Sequence, residues 1–179
     1  MDEVQRILLR REAIAKRVQE LGEEVSADRS PTDPLLAVAI LRGAVIFAAD
    51  LVREIKGPVE LDFMAVSSYG NHSVSHGEVH VLKDLTEEIA GRDVLLVEDI
   101  VDTGHTVRFL LDTLGKRGPR SLRVCALLDK ADRREVEVPI DYVGFRIPDA
   151  FVVGYGLDYA GRFRNHPEIL ALRPEALTS

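Results

Sequence analysis

Continuous apolar runs alternate with amphipathic stretches along most of this 179-residue chain. LLAVAIL at 35–41 contains no polar residue, the pattern of a strand buried on both faces. VELDFMAVSS at 59–68, VLLV at 94–97 and LRVCALL at 122–128 read as three more strands, and VHVLKDL at 79–85 has strand character. Between them, 44–55 and 105–117 carry helical spacing, the second closed by Gly118 and Pro119. Val4, Ile7, Leu8, Ile14, Ala15, Val18 and Leu21 fall on one helical stripe, which predicts a first helix over about 3–23 ending near Gly22. DYVGF and FVVGY predict short strands toward the C-terminal end. Residues 94–128 make a βαβ unit. The order as a whole predicts an α/β fold, a mostly parallel twisted sheet flanked by helices. Ligands of such sheets bind beyond the carboxyl ends of the strands.

The length fits a single domain over 1–179 with a sizeable core. SPTDP is a loop, and YGNHSVSHGE at 69–78 is polar without periodicity, an exposed loop. His72, His76 and His80 stand four apart, a spacing that admits metal ligation, but scattered imidazoles in a polar loop are the simpler reading. The net charge of −7 argues against a broad nucleic-acid footprint and leaves room for a local basic pocket. Cys125, the only cysteine, sits in an apolar run and reads as a small core residue; one unpaired thiol suits a reducing cytoplasm. MDEVQRILLRREAIAKR lacks the apolar block of a secretory signal, and no run approaches the roughly 18 apolar residues of a membrane span. These features predict a cytoplasmic protein that engages neither membrane nor nucleic acid.

The chemistry concentrates in VLLVEDIVDTGHT, residues 94–106. The apolar run ends in Glu98 and Asp99, and a third acid, Asp102, precedes a loop of small and hydroxyl-bearing residues. Thr103, Gly104, His105 and Thr106 lie between strand and helix, where successive backbone N–H groups and the helix dipole favour an anion. An N-capping threonine would account for the same short pattern. Ionised Glu98 and Asp99 accept hydrogen bonds only, so they suit a vicinal diol or Mg²⁺, held directly or through water. A phosphate nest within a few residues of such a pair describes a ribose 5-phosphate. Neither GxxxxGK[ST] nor GxGxxG is present, so the loop is not one of the common nucleotide fingerprints.

VLLVEDIVDTGHT resembles the phosphoribosyl-pyrophosphate motif of the type I phosphoribosyltransferases. Four further stretches, spread over roughly 35–165, resemble the family's 6-oxopurine branch: LRG at 41–43, SSYG at 67–70, LLDK at 127–130 and PDAFVVGYGLDY at 148–159. The resemblance implies that family's fold, with a small base-binding hood formed by the terminal segments and a mobile active-site loop at about 68–80. It further implies a cis peptide between Leu41 and Arg42, with Arg42 and Gly43 forming the pyrophosphate loop. Many relatives carry lysine at Arg42. Ser68 and Tyr69 match the start of the mobile loop. Lys130 matches the lysine that donates to the purine 6-oxo group, and Phe151 the aromatic that stacks on the base. Val152 matches the backbone at the base edge, Asp158 a second metal-side acid in the purine pocket, and Arg164 an arginine that reaches pyrophosphate.

The activity so implied is transfer of a 5-phosphoribosyl group from phosphoribosyl pyrophosphate to hypoxanthine or guanine, giving IMP or GMP and pyrophosphate. Asp102 falls at the family's general base. Glu98, Asp99 and Asp158 are the metal-side acids, Mg²⁺ the cofactor, and a homodimer or homotetramer the assembly. Two other readings are a non-catalytic sensor of phosphoribosyl pyrophosphate and a pyrimidine-type, RNA-binding attenuator. The acidic chain and the set Asp102, Lys130 and Phe151 favour the purine enzyme over both.

Overall fold

The computed structural model describes residues 3–68 and 79–177. In chain order the elements are β1 (Val4–Leu9), α1 (Arg11–Ala27), β2 (Leu35–Leu41), α2 (Val45–Glu54), β3 (Val59–Ser68), β4 (Val79–Lys83), β5 (Asp93–Val101), α3 (His105–Gly115), β6 (Ser121–Asp129), β7 (Tyr142–Arg146), β8 (Val152–Val153) and β9 (Ile169–Leu172). Six strands form the main sheet in the order β4-β3-β2-β5-β6-β7. Only β4 runs antiparallel to its neighbour. The mostly parallel α/β sheet read from the sequence is therefore the architecture observed.

Each face of the sheet is covered. Ile14, Val18 and Leu21 of α1 and Phe47 and Leu51 of α2 pack on Ala37, Ala39, Leu95 and Val97. Val107, Leu110 and Leu114 of α3, spaced by three and four along one stripe, pack on Leu36, Val38, Leu96 and Val124. Alternate residues of β2 and β5 thus serve opposite cores, which is why those strands read as unbroken apolar runs. A second, three-stranded antiparallel sheet, β1-β9-β8, joins the two ends of the described chain. Among the described residues no helix is long and apolar enough to cross a membrane.

Three differences from the sequence reading have physical causes. Residues 4–9 are a strand, and the first helix spans Arg11–Ala27 rather than about 3–23. Two register shifts on β1, between Val4 and Arg6 and between Ile7 and Leu9, disrupt its period-two alternation. Such bulges let Val4, Ile7 and Leu8 mimic a helical stripe. Gly22 lies inside α1 and does not end it. Its missing side chain admits α2, because a Cβ there would overlap both the Cβ and the backbone of Glu54. The four-residue β9 had no counterpart in the sequence reading.

Alanine at an unconstrained helical glycine stabilises by about 1 kcal/mol. Gly22→Ala should do the opposite, lowering stability by about 1–3 kcal/mol as α1 is pushed from α2. Urea unfolding at constant m-value measures it.

Candidate active site

β5 runs to Val101, paired with β6 as far as Asp129, so Glu98 and Asp99 lie within the strand and not beyond it. By the alternation of β5, Glu98 faces the α3 side and Asp99 the α2 side. Glu98 is 4% exposed, and its Oε1 has no hydrogen-bond partner. Asp99 Oδ1 accepts from the Ile100 amide at 2.8 Å. Burial raises the Glu98 carboxyl well above its ordinary value, and the Asp99 charge adds to this. Burial likewise carries Asp99 to about 6; the amides of Ile100 and Asp99 and the Arg164 charge oppose the rise, while Asp158 adds to it.

On the Asp99 side stands the turn between β2 and α2. The Leu41–Arg42 peptide is cis, as the resemblance implies, and Arg42 is exposed. Gly43 is pressed against Asp99 so closely that a Cβ would overlap the carboxylate. A Cβ on Gly156 would in turn overlap the Gly43 carbonyl. Asp158 pairs with Arg164 at 2.6 Å and accepts from the Gly161 amide at 2.8 Å. Arg164 also donates to the Gly156 carbonyl at 2.6 Å.

Beyond β5, Asp102, Thr103 and Gly104 form the loop and His105 begins α3. Gly104 caps the helix at φ 95°, with no side-chain hydrogen bond to the first-turn amides. The loop is braced from behind: the Thr103 carbonyl accepts the amides of Glu135 and Val136 at 2.9 and 3.0 Å. His105 is exposed and meets Glu135 at 2.9 Å, and Thr106 is half-buried in the first turn.

A cavity of about 580 Å³ opens between this loop, the end of β6 and the small sheet. Asp102, Lys130, Phe151, Val152 and Asp158 line it. Lys130 is 6% exposed; its amide donates to the Val101 carbonyl at 2.9 Å, and its Nζ lies 3.7 Å from both Asp102 Oδ2 and Asp149 Oδ1. Phe151 is 40% exposed, with its ring edge-to-face to Tyr159 at 5.5 Å. Val152 is buried on β8. Ser68 closes β3 opposite Val79. Its side chain, Tyr69 and the rest of the expected mobile loop up to 78 lie outside the described residues.

The structure thus gathers Asp102, Lys130, Phe151, Val152 and Asp158 at one cavity, and Gly43, Asp99, Asp158 and Arg164 at an adjoining junction. Among the described residues it forms no cage of three or more metal-ligating side chains, so Glu98, Asp99 and Asp158 do not converge on one point. The sequence reading missed Gln5, Arg133 and Asp149, which also line the cavity. It also missed Arg134, which donates to the Asp102 carbonyl at 2.9 Å and pairs with the buried Asp129. Gln5 lies at a register shift of β1, a feature no local motif announces. Among the described residues the buried side-chain polar atoms without a hydrogen-bond partner are Ser67 Oγ, Glu98 Oε1 and Asp102 Oδ1. All three stand at the carboxyl ends of β3 and β5, where an α/β sheet binds ligands.

A family model described as phosphoribosyl transferase domain matches residues 4–160. The hypoxanthine-guanine phosphoribosyltransferase of Bacillus subtilis is 46% identical over 177 residues, covering 99% of this chain and 98% of that protein. The Mycobacterium avium protein of the same name is 50% identical, covering 96% and 87%. Among solved structures, a hypoxanthine phosphoribosyltransferase from Staphylococcus aureus matches with a TM-score of 0.93 and 42% identity, covering 99% of this chain and 96% of that one.

Two predictions follow from the buried charges. Asp99 binds its proton more tightly when folded, near 6, than at its ordinary 3.8. Below the lower value both states are protonated; as pH rises to the upper one, only the folded state keeps the proton, so stability falls and the loss persists above it. Asp99→Asn should therefore stabilise the ligand-free protein by about 1–2 kcal/mol at pH 8 and far less at pH 4, as read by thermal unfolding at both. Arg134→Ala leaves the buried Asp129 only the exposed Arg146, 3.9 Å away, and should cost about 3 kcal/mol in urea unfolding.

Proposed function

Since the chain belongs to the phosphoribosyl transferase domain family, we propose that it transfers 5-phosphoribosyl from phosphoribosyl pyrophosphate to hypoxanthine or guanine, a purine-salvage reaction yielding IMP or GMP and pyrophosphate. The observation that carries the reading is Asp102. Among the described residues its Oδ1 is buried without an aligned hydrogen-bond donor, only the Arg133 charge standing beside it, on a cavity that also holds a buried lysine and an exposed aromatic ring. Such an oxygen is suited to a ligand's N–H, the lysine to a carbonyl, and the ring to the face of a flat heterocycle.

In the proposed reaction Asp102 takes the proton from the purine ring nitrogen as that nitrogen attacks the anomeric carbon and pyrophosphate leaves. Lys130 donates to the 6-oxo group, Phe151 stacks on the base and the Val152 backbone meets its edge. The uncapped amides and hydroxyls of Thr103, Gly104, His105 and Thr106 hold the 5-phosphate away from the reacting centre and so supply positioning. Glu98 and Asp99 accept from the ribose hydroxyls, and Arg42, Gly43 and Arg164 face pyrophosphate. Arg164 is free to do so only once its bond to Asp158 loosens.

Mg²⁺ is usually held by one or two carboxylates together with substrate phosphate oxygens. The acids fit only that shared mode, since they form no cage of their own: Asp158 lies close enough for its charge to act on Asp99, and Glu98 Oε1, on the other face of β5, lacks a donor among the described residues. When bound, the ion neutralises the departing pyrophosphate. The assembly we propose is a homodimer or homotetramer in the cytoplasm, which light scattering would size.

The direct test supplies phosphoribosyl pyrophosphate and Mg²⁺ with hypoxanthine, guanine, xanthine, adenine or uracil. Nucleotide should form with hypoxanthine or guanine, and failure with both overturns the reading. Asp102→Asn should lower turnover about a hundredfold or more, while the affinity for phosphoribosyl pyrophosphate, measured by calorimetry, stays within about twofold.

A further inference from the structure

Arg133 has no part in the reaction so far, yet it reaches both acids at the mouth of the purine cavity. Its Nε lies 2.9 Å from Asp102 Oδ1, but off the hydrogen-bond direction, because that oxygen has no hydrogen-bond partner. Its Nη1 donates to the two Asp149 oxygens at 3.3 and 3.5 Å. The shorter contact is thus a bare charge contact to Asp102, and the longer, aligned one is to Asp149. The guanidinium is held charged by the Asp149 hydrogen bond first and by the charge of Asp102 second.

The two cations of this cluster differ in freedom. Lys130 also lies between the acids, but its side chain is 8% exposed and its amide is fixed to Val101. Arg133 closes the short 3-10 turn Ala131–Arg133, and its side chain is 45% exposed, so it can swing. A purine N–H can reach Asp102 Oδ1 only if the guanidinium moves off that oxygen. Asp149 is a seat already in contact for it to move onto.

We propose that Arg133 is a positioning residue, a latch that lies across Asp102 in the free enzyme and is drawn wholly onto Asp149 when a purine enters. Only a ligand that brings its own donor to Asp102 offsets the loss of the arginine's charge there. Asp149 then sets purine affinity without touching the reacting atoms. This inference rests on the reading of Asp102 as the proton acceptor in a purine site.

The test is a double-mutant cycle in steady-state kinetics. Asp149→Asn leaves Arg133 no seat but Asp102, so the KM for hypoxanthine or guanine should rise about three- to fivefold, as exposed ion pairs allow. The kcat and the KM for phosphoribosyl pyrophosphate should stay within about twofold, whereas general disruption of the fold would move all three. In an Arg133→Gln background, which itself should not raise the purine KM, Asp149→Asn should have little further effect. Thermal unfolding of each variant checks that it is folded, and both side chains are substantially exposed. A purine KM unmoved by Asp149→Asn, or raised equally in both backgrounds, overturns the latch. If the unmodified enzyme forms no nucleotide from either purine, the reading of the site fails instead; an active enzyme with independent variants rejects the latch alone.

Discussion

Two adjacent carboxylates held inside the central strand are the constraint around which the rest of the site is arranged. β5 is paired on both edges as far as Val97 and continues beyond it against β6, which leaves Glu98 buried and Asp99 half-buried at the end of the sheet. A buried charge ordinarily finds a cation or neutralises. Among the described residues neither carboxylate has a cation in contact. Glu98 Oε1 has no donor, and Asp99 has a backbone amide with Arg164 acting only through space. Arg164 is itself engaged with Asp158. The folded chain thus maintains a deficit of positive charge where, on the proposed reading, substrate and Mg²⁺ arrive together.

That deficit is kept in place by a junction that tolerates no side chain. The turn after β2, the end of β5 and the segment after β8 meet at Gly43, between the Asp99 carboxylate and Gly156. A side chain at Gly43 would displace Asp99, and one at Gly156 would drive the segment after β8 off the Gly43 carbonyl, and Asp158 and Arg164 with it. The junction therefore sets the separations among the three acids and the arginine. On the opposite side of β5, Glu135 and Val136 brace Thr103 by backbone hydrogen bonds, and Arg134 does the same for the Asp102 carbonyl. Rigid elements hold the groups, and the backbone makes the fine placement.

How much of this was legible follows from where each feature's cause lies. LLAVAIL and VELDFMAVSS match β2 and β3 at both ends; burial on both faces writes itself into nearly every residue of β2, whereas β3, with Glu60 and Leu61 exposed, was legible from its β-branched and apolar content. The loop between β5 and α3 was legible because its residues are contiguous. β1 was read as a helix because bulges, whose cause is the partner strand, altered its periodicity. Gly22 was read as a helix end because the reason for it, Glu54, lies on another helix. Arg133 and Asp149 were missed for the same reason at the site: they stand sixteen residues apart, and only the chain's return through β7 brings them together. A sequence reports local physics directly and non-local pairing only through a motif already known.

On the proposed reading the site has a purine half and a pyrophosphate half, and the two balance charge differently. In the purine half two acids, Asp102 and Asp149, face two cations, Lys130 and Arg133, within 3.7 Å of one another, and the set is neutral. A neutral heterocycle can enter there by exchanging hydrogen bonds, with no net charge to desolvate. In the other half Asp99 and Asp158 face one paired arginine, Arg164, with the exposed Arg42 on the neighbouring turn and Glu98 on the opposite face of β5. Entry of a pyrophosphate there is disfavoured unless it brings cations. Asp102 stands where the halves meet, its backbone belonging to the phosphate loop and its side chain to the purine cavity. On the proposed reading it accepts a proton from the neutral partner while the loop that carries it holds the anionic one, which would place both substrates relative to a single rigid segment.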